Sequence, residues 1–132
     1  MSTTYDVFIS YSHNNSDWVR NTLLPKLESH GFSVIIDYRD FKSGSFSVDE
    51  MQRAVEDSKH TLLVLTTDYV KSDWTKFENV MAQTSDPGAT QRKIIPVLRE
   101  DCNIPLRLRI ISYRDLRQES DQAWQLLIQD LM

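Results

Sequence analysis

The sequence predicts a doubly wound α/β fold: a five-stranded parallel sheet in the order 2-1-3-4-5, with helices on both faces. Three observations predict it. Short apolar runs recur along the chain with helical patterns between them, the alternation expected of βαβ units. The runs are continuous rather than alternating, as in strands buried on both faces. There are five of them, and right-handed crossovers leave few ways to connect them, of which the flavodoxin-like order is favoured. The 132 residues, 40% hydrophobic and 26% charged, make one ordinary domain with a core of its own.

The first strand is read from Asp6-Val7-Phe8-Ile9-Ser10-Tyr11-Ser12, an apolar run that breaks at once into small polar residues. Ligands of parallel sheets bind outside the carboxyl ends of the strands. Tyr11-Ser12-His13-Asn14 is therefore a candidate binding loop. Val19, Leu23 and Leu27 repeat at helical spacing in the first helix; Pro25 within that pattern predicts a kink or a frayed end. Gly31 stops the helix, and residues 32–37 form the second strand. A polar loop, residues 37–46, follows. It exceeds the two to six residues usual for a βα connection, which points to a functional or contact role. Ser47-Val48-Asp49-Glu50 is a capping-box signature opening the second helix, with Val48, Met51 and Val55 as its buried stripe. Residues 62–65 form the third strand and residues near 72–84 the third helix. Residues 94–98 form the fourth strand, where Pro96 predicts an irregularity. A short turn follows Cys102, and residues 110–113 are read as a weak fifth strand. Trp124, Leu127, Ile128 and Leu131 line one face of the last helix.

Several kinds of chemistry have no support. The only glycines are Gly31, Gly44 and Gly88, which excludes the usual phosphate-cradling loops. His13, His30 and His60 show no metal-ligand spacing, so no metal is expected. No serine lies in a nucleophile elbow. A receiver domain on the same fold would place acidic residues after the first strand, where Ser10-Tyr11-Ser12 stand. The net charge of −4 argues against nucleic acid. Arg107, Arg109, Arg114 and Arg117 read as a solvated or partner-facing patch. Cys102 is the only cysteine. One thiol, no run of about twenty apolar residues and no leader-like start together predict a cytoplasmic protein without a membrane anchor.

One constellation remains. Trp74 and Glu78 stand at i and i+4 on the third helix, whose apolar stripe is Trp74, Phe77, Val80, Met81 and Thr84. Glu78 borders that stripe on the side of Trp74. By pattern alone it is a rim glutamate on an amphipathic helix.

Together these segments resemble a Toll/interleukin receptor (TIR) domain, and the resemblance spans residues 1–132 as a single domain. Tyr5-Asp6-Val7-Phe8-Ile9-Ser10-Tyr11 is similar to the family's first box. Residues 31–37, with Arg39, Asp40 and Gly44, are similar to its second strand and following loop. Ser72-Asp73-Trp74-Thr75-Lys76-Phe77-Glu78 is similar to the helix that carries a Trp-x-x-x-Glu pattern in enzymatic members. Ile94-Ile95-Pro96-Val97 is similar to the fourth strand, proline included. Some members of the family act only by TIR–TIR assembly, as adaptors. Others, of a prokaryotic-type branch, cleave the nicotinamide–ribose bond of NAD+ to give nicotinamide and linear or cyclic ADP-ribose.

The resemblance implies the second activity here, in defence or stress signalling, with NAD+ as substrate and no separate cofactor. Glu78 takes the catalytic position. A single carboxylate near the ribose would stabilise an oxocarbenium-like transition state. Trp74, Tyr11 and Phe46 are implied to stack on the substrate's rings, and Gly44 to shape the loop. Many members place a basic residue just after the tyrosine, where Ser12 and His13 stand here. Phosphate contacts are then left to backbone N–H groups, His13 or Arg39. The resemblance also implies that the loop of one subunit completes its neighbour's site, so that self-assembly governs activity, and that a sensor domain or protein serves as a partner.

Overall fold

The structure is a computed structural model that describes residues 5–42, 47–84, 94–109 and 111–132, with Ser47 described by its backbone alone. A parallel sheet of five strands runs in the order β2-β1-β3-β4-β5. β1 (Tyr5–Ser10) lies between β2 (Val34–Ile35) and β3 (Ser58–Leu65), in register Val7↔Val34 and Ile9↔Leu62. β4 (Ile94–Leu98) follows, then β5 (Arg114–Asp115).

The twofold alternation of side chains explains why the central runs carry no polar face. Val7, Ile9, Leu62, Val64, Ile95 and Val97 enter one buried cluster. Phe8, Leu63, Leu65, Ile94 and Leu98 enter the other. The first cluster is closed by the N-terminal helices and the last helix, through Val19, Leu23, Leu27, Trp124, Leu127 and Leu131. The second is closed by Ala54, Val55, Tyr69, Phe77, Val80 and Leu108 from the helices of the opposite face.

A short 3₁₀ turn, His13–Asn15, leads from β1 into α1 (Ser16–Trp18), a π-helical turn (Val19–Leu23) and α2 (Leu24–Ser29). The irregularity predicted at Pro25 takes this form. Proline offers no N–H and crowds the carbonyl four residues back, and the chain widens just before it, with the Leu24 N–H reaching the Val19 carbonyl. Gly31 ends α2 as read, at φ +86°. The Phe32 N–H reaches the Leu27 carbonyl at 3.3 Å and the Gly31 N–H the Glu28 carbonyl at 3.0 Å, the paired bonds of a Schellman stop.

Four readings are corrected. The second strand is shorter than residues 32–37, because Asp37 opens a helical turn, α3 (Asp37–Asp40). In α4 (Ser47–Asp57), Val48 is exposed, and the buried stripe passes through Ala54 and Val55, with Met51 packed at its side. Glu50 accepts the Lys42 N–H at 2.6 Å and pairs with Arg53 at 2.6 Å, while the Ser47 side chain, the other half of the expected capping box, lies outside the described residues. The third helix, read near residues 72–84, is α6 (Trp74–Met81), and an unread helix, α5 (Thr67–Ser72), precedes it across Asp73. The fifth strand is not at residues 111–113, and Ile110 falls outside the described residues. A turn of helix, α7 (Leu106–Arg109), precedes it, the Ile111 N–H closes onto the Leu108 carbonyl, and Ile111 packs into the core as a loop residue. Pairing begins only at Arg114, opposite Val97. β5 thus carries two charged residues, and Arg114 is held by both carboxylate oxygens of Asp130 on α8 (Asp121–Leu131). Pro96 is tolerated because β4 meets β5 only at Val97 and Leu98, so proline stands where that side of β4 is still unpaired.

Candidate functional site

The carboxyl ends of β1 and β2 and the start of α6 enclose a cavity of about 110 Å³. β1 and β3 are adjacent strands whose following helices cover opposite faces, so the cavity lies at the switch point where ligands of such sheets bind. Phe8, Ile9, Phe41 and Met51 supply its apolar side, with the Phe41 ring stacked on Phe8 at 6.0 Å. Tyr11, His13, Asp37, Asp73 and Lys76 supply the polar side.

Asp37 organises this polar side. Its Oδ1 accepts the Tyr11 hydroxyl at 2.8 Å and the Tyr38 N–H at 2.7 Å. Its Oδ2 lies 2.7 Å from His13 Nε2. The Tyr11 hydroxyl also receives Arg20, through Nε at 3.3 Å and Nη2 at 3.2 Å. Burial, reinforced by the Asp37 carboxylate, pushes the Tyr11 phenol up to about 12. Tyr11 is therefore neutral and fixed, with its ring buried and the His13 ring edge-on to it at 5.7 Å. Beneath this, a buried bond of 2.9 Å between Ser10 Oγ and the Tyr69 hydroxyl ties the end of β1 to α5.

The cavity's second carboxylate is Asp73, at the break between α5 and α6. It makes no side-chain capping bond to α6. Burial holds its carboxyl above the ordinary range, against the opposing pull of His13 and Lys76. Among the described residues, no group of three His, Cys, Asp or Glu side chains is placed to hold a metal.

The sequence matches the TIR domain family over residues 7–128. The chain belongs to the TIR domain family. It is similar to Protein toll of Drosophila melanogaster, 33% identical over 100 residues that make up 74% of this chain and 9% of that protein. It is also similar to Toll-like receptor 2 of Canis lupus familiaris, 41% identical over 76 residues, 56% of this chain and 10% of that receptor. The TIR domain thus spans about a tenth of the length of these curated relatives. Among solved structures, the TIR domain of the Toll-related receptor TRR-2 from Hydra magnipapillata aligns with a TM-score of 0.81 at 29% identity, covering 97% of this chain and 98% of that one. A metazoan TIR-STING receptor from C. gigas aligns at 0.76 and 28% identity, covering 98% of this chain and 40% of that one.

Within this TIR domain the residues singled out from sequence fall into three groups. Tyr11 and His13 meet in the cavity. Ser12, Arg39, Trp74 and Glu78 do not line it. Ser12 is buried and caps the 3₁₀ turn, its Oγ accepting the Asn14 N–H at 3.3 Å. Arg39 is directed toward α2, donating to Glu28 Oε2 at 3.1 Å and to the Val34 carbonyl at 2.8 Å. Trp74 packs on the core beside Phe77, rings 6.2 Å apart. Glu78 is half-exposed and lies 4.0 Å from Arg107 Nη1 on α7. Gly44 and Phe46 fall outside the described residues.

Asp37, Asp73 and Lys76 were missed as site residues by sequence reasoning. The signal for Asp37 was present, since it stands where the second strand gives way to polar chain. Asp73 and Lys76 carry no local mark, because only the packing of α6 beside the end of β1 brings them to Tyr11. The arginine patch is solvated, as expected, with Arg107, Arg109 and Arg117 exposed, and its members are paired within the domain. Arg114 is paired with Asp130, Arg117 with Asp101 and Asp115, and Arg109 donates to the Ile104 carbonyl and Asn103.

Proposed function

We propose that this TIR domain works by assembling with further TIR domains and that, once assembled, it cleaves the nicotinamide–ribose bond of NAD+, releasing nicotinamide and linear or cyclic ADP-ribose. The observation that carries the reading is the state of Glu78. Its carboxylate is half-exposed, and its pair with Arg107 is stretched to 4.0 Å. An exposed pair at that separation holds a side chain weakly, so the carboxylate is available to a ligand. At 100° per residue, Glu78 falls on the flank of α6 opposite Lys76, with the buried Phe77 and Val80 between them. The catalytic carboxylate and the Tyr11 cavity therefore do not face each other within one subunit. That separation supports a site completed by a neighbour, whose surface closes over Glu78.

The chemistry requires little of the protein. Nicotinamide leaves NAD+ as a neutral base, so departure needs no strong general acid. Positive charge develops on the ribose as the bond stretches, and the Glu78 carboxylate stabilises it in a site from which a second subunit excludes water. Tyr11, Phe46 and Trp74 are assigned contacts to the rings, and Ser12, His13, Arg39 and Gly44 the polar and loop contacts. We place this activity in cytoplasmic defence or stress signalling, with a sensor domain or protein as the activating partner.

The similarity to Toll receptors favours a second reading, a docking module that acts through TIR–TIR contact alone. Incubation of the concentrated domain with NAD+, with products separated by chromatography, distinguishes them. The enzymatic reading expects nicotinamide release that falls at least about a hundredfold in Glu78→Gln, the scale of losing one transition-state contact, with an unchanged melting temperature. Assembly in a sedimentation experiment with no nicotinamide at any concentration would establish the docking module instead.

A further inference from the structure

We infer that Glu50 is a positioning residue: its buried carboxylate clamps the chain that leaves α3 onto α4 and so holds Phe41 in place as an apolar wall beside Phe8. The effect on NAD+ turnover rests on the enzymatic reading above; the clamp itself rests on the geometry.

Among the described residues, Glu50 is the one carboxylate, ammonium or guanidinium side chain that is buried, at 5% exposed. A buried charge is costly unless partners meet it, and each of its oxygens has one. Oε1 accepts the Lys42 N–H, eight residues back, at 2.6 Å. Oε2 pairs with Arg53, one turn along the helix, at 2.6 Å. Glu50 also stands in the first turn of α4, where the helix dipole favours a negative group. Arg53 and the helix end belong to α4 itself, but Lys42 does not. It follows Phe41, where α3 has ended, so its bond ties together two separate segments. Phe41 and Met51, each next in sequence to one of the bonded residues, supply adjoining parts of the same apolar wall, and the Phe41 ring lies on Phe8. The bond therefore fixes the spacing of the two segments that build this wall. Stability alone gives no reason for it, because an apolar side chain in place of a buried ion pair is commonly neutral or stabilising. What the charge adds is a directional bond to one backbone N–H.

Glu50→Met and Glu50→Gln test the assignment. Methionine fills the volume without an acceptor. Glutamine keeps an acceptor for Lys42, and Arg53, half-exposed, can turn to solvent. Glu50→Met is expected to melt at or above the wild-type temperature and to speed hydrogen exchange at the Lys42 amide at least about tenfold. It should also weaken the contacts between the Phe8 and Phe41 rings in magnetic resonance spectra. In the concentrated domain its KM for NAD+ should rise about tenfold, the scale of one aromatic contact, with kcat little changed, since a ground-state surface is lost and no transition-state contact. Glu50→Gln should restore both the slow exchange and the wild-type KM. A Lys42 amide that exchanges freely in the wild type, ring contacts intact in Glu50→Met, or a Glu50→Gln no better than Glu50→Met would overturn the positioning role. The wild-type exchange rate decides the clamp even where a variant fails to fold. Exchange and ring contacts need no turnover. A wild type that protects Lys42 yet releases no nicotinamide keeps the clamp and loses the enzymatic reading, and turnover with an unchanged KM in Glu50→Met does the reverse.

Discussion

Tyr11 and Asp73 line one cavity and depend on pH in the same sense, one in the alkaline range and the other in the acid range. The Tyr11 phenol is raised from 10 to about 12, first by burial and then by Asp37. The unfolded chain therefore gives up this proton before the folded one does. The stability Tyr11 contributes is complete below about pH 10 and is lost as pH rises toward about 12. Tyr11→Phe should cost about 1–2 kcal/mol at neutral pH, because it leaves Asp37 and Arg20 without the hydroxyl between them, and should flatten the alkaline limb of a denaturation curve relative to wild type. Asp73 is a carboxyl raised by burial, so the folded state holds its proton more firmly than the unfolded state. Its charged form opposes folding at pH 7, and that opposition fades as pH falls through its folded value. Asp73→Asn should consequently melt at or above the wild-type temperature at pH 7 and converge with it in acid, read by calorimetry across pH. Tyr11 and His13 were legible in the sequence because the first strand ends so abruptly beside them. Asp73 was not, since its neighbours in sequence say nothing of Tyr11.

Among the elements, legibility followed how completely a segment was buried. β4 was found with its bounds unchanged because all five residues are buried, and Gly31 because a left-handed residue must follow a helix stopped in this way. Gly31→Ala places a side chain at φ +86° in open space. It should cost about 1 kcal/mol from backbone conformation alone, measured as a shift in urea midpoint at constant slope. β5 escaped because it is a strand by virtue of its neighbour. Two charged residues pair with Val97 and Leu98, and their charges are met by Asp130 and Arg117, whereas the more apolar residues just upstream serve a turn. α5 escaped for a related reason: Thr66 caps it through its Oγ1, 3.1 Å from the Tyr69 N–H, and its six residues are too few to show a helical period. On α6 the pattern located the buried stripe through Phe77, Val80 and Met81, but not the partners of its two flanks, which the rest of the molecule supplies.

For the whole molecule, those two flanks define the problem. One carries Asp73 and Lys76 to the cavity at the sheet's switch point; the other carries Glu78 toward α7. A dinucleotide is too large for a cavity of about 110 Å³, and a lone subunit does not bring Glu78 to it. Activity is therefore expected to rise more steeply than in proportion to protein concentration, and further with a crowding agent, as subunits associate. The most direct measurement is nicotinamide released from NAD+ per subunit, followed across a wide range of domain concentration for the wild type and Glu78→Gln side by side. Specific activity should climb with concentration in the wild type and stay at background in the variant. Turnover in Glu78→Gln equal to that of wild type, or a specific activity independent of concentration, would contradict the enzymatic reading.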